Sequence, residues 1–524
     1  MGRIWVTGFI ALSAVACAGP IAPLTSPLDG GRPWRELRTE HFTLQTDTSS
    51  GNARVLLQHL ETGHFALQKA AFPYDARLDV ETRIVFFEDL PDLAQLGFPI
   101  AAGAAWRPSL YFDDSSLLLL SDPGSDLDLQ LVFHELTHRF VAFYYPGAPT
   151  WLREGLAEYY STVRVQNGEA VLGDYVGDIT FTQGNNAWAF TRARRLLVPI
   201  SSVPGIGALR AMEPSGFYRR FEESVPEERA RVANYSGAWA MVHTLSSLPG
   251  GPRLFESYLD ELYRGNLSET QAWQAAFGQH QATLDTYFRR FLRADHFQRI
   301  YRPVGEAPEV EPSERAMSPS EVHTLWAIAR RAEDASGRTL ERRDLERAIA
   351  ADPSNAEAYL RRAMLNDKER RWPDAERDLG LANAAAPGVA RYLVARATFS
   401  IGRDDFAKSS AKQRELRRWV RDVTRAPSST ADFVFLADWA VFEGHIDAAL
   451  RYASRGIRLD PSCFYCYGAL ASAHAARADW PKAIAALRLA INLFPHGFKG
   501  PNYVSLLERY EQAQAEGSIE PIRD

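Results

Sequence analysis

Residues 134–160 read His134-Glu135-Leu136-Thr137-His138-Arg139-Phe140-Val141-Ala142-Phe143-Tyr144-Tyr145-Pro146-Gly147-Ala148-Pro149-Thr150-Trp151-Leu152-Arg153-Glu154-Gly155-Leu156-Ala157-Glu158-Tyr159-Tyr160. The apolar spacing from Asp126 to Tyr145 is helical, so His134 and His138 share one face. Both imidazoles can then reach one ion, while Glu135, about 100° around the axis, points beside it. That geometry suits zinc. A catalytic zinc usually has three protein ligands, so a further carboxylate or histidine should follow nearby. After the turn at Tyr145–Thr150, a second helix from Trp151 can return antiparallel to the first. Glu154 would then face the histidine pair, and Glu158, four residues on, shares its face.

Working outward toward the N-terminus, the periods alternate between strand and helix. Residues 41–46 alternate like a half-buried strand, and Asn52 to Phe72 places Val55, Leu56, Leu60, Phe65 and Leu67 on a helical stripe. Thr82–Phe87 and Ser116–Leu120 read as buried strands. Most of the chain from there to about Ile300 reads helical, including Ala233 to Leu248 and Thr283 to Phe297. Residues 302–320 carry Pro303, Pro308, Pro312 and Pro319 among glutamates, a composition expected of a linker rather than a packed element.

The pairing of His-Glu-x-x-His with Trp151-Leu152-Arg153-Glu154-Gly155 resembles the gluzincin metallopeptidases, the group that includes thermolysin and aminopeptidase N. The resemblance implies that Glu154 is the third zinc ligand beside His134 and His138, with one Zn2+ per chain, and that Glu135 is the general base. It also implies that Glu158 orients a zinc histidine, where the alternative is a solvated carboxylate. Fewer residues separate His138 from Glu154 than in the aminopeptidases, as a shorter inter-helix loop would allow. Gluzincins place a small sheet ahead of the metal helices and line the substrate cleft with its edge strand, a role expected here of Ser109–Phe112 or Ser116–Leu120. Asn234-Tyr235-Ser236-Gly237-Ala238-Trp239-Ala240 is similar to the aminopeptidase segment whose tyrosine donates to the oxyanion, which would make Tyr235 catalytic; the alternative is a core tyrosine. The motif with which aminopeptidases hold a substrate amino terminus is missing. The nearest string, Ala211-Met212-Glu213-Pro214, falls after the metal helices.

Beyond the linker the prolines keep time. Pro353 to Pro387, Pro427 to Pro461 and Pro461 to Pro495 are each 34 residues, with 40 between Pro387 and Pro427. Ala363, Ala375 and Ala382 recur as Ala471, Ala483 and Ala490, and Trp372-Pro373-Asp374-Ala375 recurs as Trp480-Pro481-Lys482-Ala483. Small residues at those places let paired helices approach, and proline fits a helical first turn. The segment from Val322 to Phe494 resembles four or five tetratricopeptide repeats, whose period this is, with one irregular repeat around the basic run Lys412 to Arg421.

At the other end, Arg3 precedes an apolar run from Ile4 to Ala16 suited to a secretory signal. Leu12-Ser13-Ala14-Val15-Ala16-Cys17 resembles a bacterial lipobox, which implies lipid on Cys17, and Ala14-Val15-Ala16 equally fits plain cleavage and secretion. Both readings export the protein to the cell envelope or beyond, with the lipid as the only expected membrane tether.

Composition is consistent with this division. A chain of 524 residues exceeds one compact core. Its 46% hydrophobic and 24% charged residues fit globular domains. Lys plus Arg is 59 against 65 for Asp plus Glu, a net −6 without clustered basic excess, which argues against nucleic acid as a partner. Cys463 and Cys466 form a lone pair for which buried thiols are the first expectation and a disulfide the second, and His41, His64, His243 and His280 have no ligand spacing to one another.

The expected fold class is therefore α+β: a signal segment at 1–17, a thermolysin-like zinc peptidase domain at 34–300, a linker at 301–320 and an all-α tetratricopeptide solenoid at 321–515. The expected function is exported zinc-dependent hydrolysis of peptide bonds, with a peptide or protein substrate and a protein partner on the repeats. Two other readings stand beside it: a peptidase-like scaffold that does not turn over, and zinc hydrolysis of another bond.

Overall fold

The computed structural model describes residues 24–78, 81–89, 92–93, 95–97, 104–107, 117–121, 126–174, 200–218, 225–265, 267–293, 299–330, 334–402, 409–494 and 502–518. Cys17 and the segment around it, and Ser109–Phe112 with Ser116, lie outside these residues.

Strands β1 (Arg35–Arg38) and β2 (Phe42–Thr46) lead into α1 (Ser50–Ala66), followed by β3 (Thr82–Phe87), β4 (Ala104–Arg107) and β5 (Leu117–Ser121). Then come α2 (Asp126–Tyr144), α3 (Thr150–Tyr160), β6 (Arg164–Gln166) and β7 (Glu169–Leu172). A helical run follows: α4 (Ile206–Arg210), α5 (Pro214–Tyr218), α6 (Val225–Ser247), α7 (Gly251–Arg264), α8 (Glu269–Phe277) and α9 (Gln281–Arg293). Two short strands, β8 (Ile300–Pro303) and β9 (Ser313–Ala316), complete this part.

The main sheet has the order β4-β5-β3-β2-β1-β9. Its centre is parallel, with Leu44 opposite Ile84 and Ile84 opposite Leu118, while β4, β1 and β9 pair antiparallel. On one face Phe42, Leu44, Ile84 and Leu118 join Leu57 and Leu60 of α1 and Leu136 and Phe140 of α2 in a large core. The buried stripe of α1 is shifted from the expected one: Leu56, Leu57, Leu60 and Leu67 are buried, whereas Val55 is 58% exposed.

Three expectations are corrected here. Residues 42–46 are buried on both faces rather than one, because the opposite face of the sheet is also covered. There Val85, Phe87, Leu119 and Trp34 pack with Val322, Leu325 and Trp326. Residues 301–320 are not a bare linker, since β8 pairs with β7 and β9 pairs with β1, with Arg38 opposite Ser313. The sheet edge beside β5 is β4, Ala104–Arg107, so the Leu117–Ser121 strand stands one place inside it.

The remainder is all helix: α10 (Pro319–Ala329), α11 (Ala335–Ala351), α12 (Ala356–Lys368), α13 (Trp372–Ala385), α14 (Ala390–Ile401), α15 (Ser410–Arg425), α16 (Thr430–Phe442), α17 (Ile446–Leu459), α18 (Phe464–Ala475), α19 (Trp480–Leu493) and α20 (Tyr503–Ala515). Helices α12, α14, α16 and α18 begin at Ala356, Ala390, Thr430 and Phe464, repeating the 34, 40, 34 rhythm of the prolines. Ala363, Ala375, Ala382, Ala471, Ala483 and Ala490 are all buried, as close approach of paired helices requires. The two Trp-Pro phrases differ in burial. Trp480 is 4% exposed beneath Tyr510 of α20, whereas Trp372 is 46% exposed. The basic run of the longer repeat lies on α15, which buries Leu416, Trp419, Val420 and Val423. Cys463 and Cys466 form a disulfide at the start of α18, which corrects the expectation of free thiols. Among the described residues no helix is long and apolar enough to cross a membrane.

Candidate metal site

Helices α2 and α3 are joined by a turn in which the Ala148 amide donates to the Tyr145 carbonyl at 2.8 Å. They run side by side, so side chains one helical turn apart on α2 meet a face of α3. His134 Nε2 and His138 Nε2 are 3.0 Å apart. Glu154 Oε2 lies 3.6 Å from the first and 3.5 Å from the second. His134 and Glu154 are buried, with His138 half-buried.

Glu154 Oε2 is a buried carboxylate oxygen with no hydrogen bond. Its polar neighbours are the two imidazole nitrogens, beyond hydrogen-bond distance at 3.6 and 3.5 Å. Two imidazole nitrogens and this oxygen converging within 4.8 Å of one another answer to a cation placed between them. The donor set, two His and one Glu, is that of a catalytic zinc with one position open.

The surrounding charges fit this. Burial alone would raise Glu154, but His138 and His134 draw its carboxyl well below the ordinary carboxylate range. Burial alone would lower His134, yet Glu154, Glu158 and Glu135 together raise it. Glu158 is 1% exposed, so the solvated-carboxylate reading is excluded; it sits one turn along α3 from Glu154, close enough for its charge to act on His134. Glu135 is half-buried beside the site and acts electrostatically on both His134 and Tyr218.

Tyr218 has no counterpart in the sequence reading. Its hydroxyl donates to Glu154 Oε1 at 2.6 Å. Burial, followed by the Glu154 charge, raises its pKa well above the ordinary tyrosine value, so the phenol stays protonated and remains a donor. Tyr218 ends the short helix α5, and Asn234 of α6 holds that end by donating to the carbonyls of Gly216 and Phe217 at 3.3 and 2.9 Å. Nothing in spacing or composition joins residues 218 and 154; only the packing of α5 against α3 does.

Tyr235 stands on α6 one ring further out, its centroid 5.2 Å from Phe217 and 6.5 Å from Tyr218. The segment around it also lets the helices close up. A Cβ on Gly155 would lie 2.7 Å from the Ala238 carbonyl oxygen, so α3 and α6 approach to a distance only glycine permits, right beside Glu154.

A second cluster, His41, Glu61 and His64, also brings possible ligands together. His41 Nδ1 is 2.7 Å from Glu61, and the two imidazoles are stacked with centroids 3.8 Å apart and planes 23° off parallel. Lone pairs of stacked rings run side by side and do not converge, so this is a buried polar group packed under α2.

No family model matches the chain, and no curated protein matches it. Among solved structures, the type IV pilus biogenesis factor PilW is similar at 16% identity over 38% of this chain and 93% of its own, with a TM-score of 0.30. A thermophilic tetratricopeptide protein of Thermus thermophilus is similar at 15% identity over 37% of this chain and 99% of its own, with a TM-score of 0.31. Yeast Tom70 is similar at 14% identity over 62% of this chain and 72% of its own, with a TM-score of 0.29. The reading of the C-terminal helices as repeats rests on their own register, described above.

Proposed function

We propose that this chain is a zinc-dependent metallopeptidase carrying a tetratricopeptide-like array that binds protein. One observation carries the reading: His134, His138 and Glu154 converge from two helices on one buried point, with Glu135 beside it. His134, His138 and Glu154 would hold the ion. Zinc held there would supply a water of lowered pKa and polarisation of the carbonyl to be attacked. Glu135, half-buried beside these residues, would serve as the general base and then as the acid toward the leaving amine. Glu158 holds His134 electrostatically, Tyr218 fixes the Glu154 carboxylate, and Tyr235 is the proposed donor to the developing oxyanion. Export, and lipid on Cys17, belong to the same proposal.

The test is cleavage of mixed peptides with and without chelator, alongside metal content. The wild-type chain should hold about one zinc. Glu154→Ala should lose occupancy, and Glu135→Gln should keep the metal and lose hydrolysis. Full occupancy in Glu154→Ala, or zinc loss in Glu135→Gln, would overturn the assignment of roles.

A second reading is favoured by the helical array itself: a non-catalytic scaffold that binds a protein partner through its repeats. On that reading the chain takes up zinc or none, cleaves nothing, and still captures its partner after Glu135→Gln.

A further inference from the structure

The last repeat does not end in solvent. Helix α19 reaches back to the turn between the two ligand helices. Asn492, in its last turn, donates from Nδ2 to the carbonyls of Pro146 and Ala148 at 2.8 and 3.0 Å. In return Arg153, the residue before Glu154, donates from its guanidinium to the Asn492 carbonyl. Each exchange answers a need. The last carbonyls of a helix have no partner within it, and a cation there is favoured by the helix dipole. The carbonyls of Pro146 and Ala148 belong to a tight turn and need donors from elsewhere. Around these bonds Ala142 of α2 packs against the cluster built on Trp480, Leu487 and Tyr510, and a Cβ on Gly147 would meet the Leu489 side chain at 3.8 Å.

We propose that Asn492 is a positioning residue for the metal site, holding the α2–α3 turn so that Glu154 is presented to His134 and His138. The inference rests on the metal reading above. By clamping Pro146 and Ala148 while receiving Arg153, α19 fixes the start of α3 one residue from the ligand. The array therefore acts on the site directly, and whatever distorts its last repeat loosens the third ligand.

The experiment uses the full chain and three variants, with zinc affinity from competition against a chromophoric chelator and amide exchange over residues 150–156. Asn492→Leu keeps the approximate volume and removes both donors, while Asn492→Asp keeps the shape and turns a carboxylate toward the two carbonyls. Both should weaken zinc binding about tenfold, the lower end for residues that orient ligands, and speed exchange in α3. Leu360→Ala removes a buried side chain of α12, in a cluster of the array separate from the one that meets α2; it should lower the melting temperature and leave zinc affinity unchanged. Unchanged affinity and exchange in the Asn492 variants would overturn the proposal, as would equal loss of affinity in Leu360→Ala, which would reduce the contact to general stability. A wild-type chain that takes up no zinc sinks the metal reading and the claim on the ligand with it, while the exchange rates still decide whether the clamp holds the turn.

Discussion

Tyr218 and Tyr235 stand one ring apart, and removing each hydroxyl should have a different effect. The Tyr218 phenol donates to Glu154, the proposed third ligand, so on that proposal Tyr218→Phe should weaken zinc binding by about tenfold and lower activity only through lost occupancy. A phenol that donates solely to the transition state acts differently. If Tyr235 has that role, Tyr235→Phe should lower kcat by on the order of 10² with KM and zinc affinity nearly unchanged. An unchanged kcat at matched zinc occupancy would leave Tyr235 as packing against Phe217. The shared face of His134 and His138 was legible in the sequence because four-residue spacing on a helix is a local property. Tyr218 was not, since its role depends on where α5 packs. Glu158 could be placed on the ligand face by spacing, but its burial follows from helices the motif does not include.

At the scale of elements, the contact of α3 with α6 leaves no room for another methyl group. Gly155→Ala would drive a Cβ against the Ala238 backbone and the Val242 side chain, at 2.7 and 2.8 Å, and backbone cannot turn aside as a long side chain can. The expected cost is about 1–3 kcal/mol of stability. Zinc affinity should fall as well, because the strain is applied next to Glu154; denaturant titration and chelator competition measure the two effects. Strand legibility divides along similar lines. The apolar runs of β3 and β5 mark buried strands by composition alone. Strand β9 is four exposed residues with no alternation to read, and only its pairing with β1 makes it a strand. The second buried face of β2 likewise depends on neighbours that local periodicity does not report, Gln45 meeting Glu36 of β1 and Arg83 of β3.

For the molecule as a whole, two buried histidines set the acid limit. Burial pushes His64 and His243 from 6.5 down to about 3 in the folded chain. Between those values the unfolded chain binds protons that the folded one refuses, so stability falls as pH drops through that range. Each such group contributes a slope of about 1.4 kcal/mol per pH unit at full difference. Between pH 6 and 5 these histidines should dominate, since Glu154, with its lowered pKa, loses its contribution only in more acid solution. His134 has the opposite sign: its pKa is raised, so in metal-free protein its contribution is complete below 6.5 and lost as pH rises through the folded value. Urea unfolding from pH 7 to 5 should therefore show falling stability, with a shallower slope in His64→Phe. An equal slope in the variant would place the proton uptake elsewhere.

The helical array is anchored to the rest of the molecule at two places. Its first helix, α10, is built into the core on the outer face of the sheet through Leu325 and Trp326, and its last pair is tied to the α2–α3 turn through Asn492. Stacked repeats ordinarily behave as a one-dimensional chain of units, each stabilised by its neighbours, that frays inward from its free termini. Anchored at α10 and again at α19, with only α20 beyond the second anchor, this array has fewer places where fraying would begin. Opening the repeats between the two anchors must tear contacts from the sheet or from α2 and α3, so their melting is coupled to that of the N-terminal part, and a stack of units that could come apart one at a time is drawn into a shared cooperative transition.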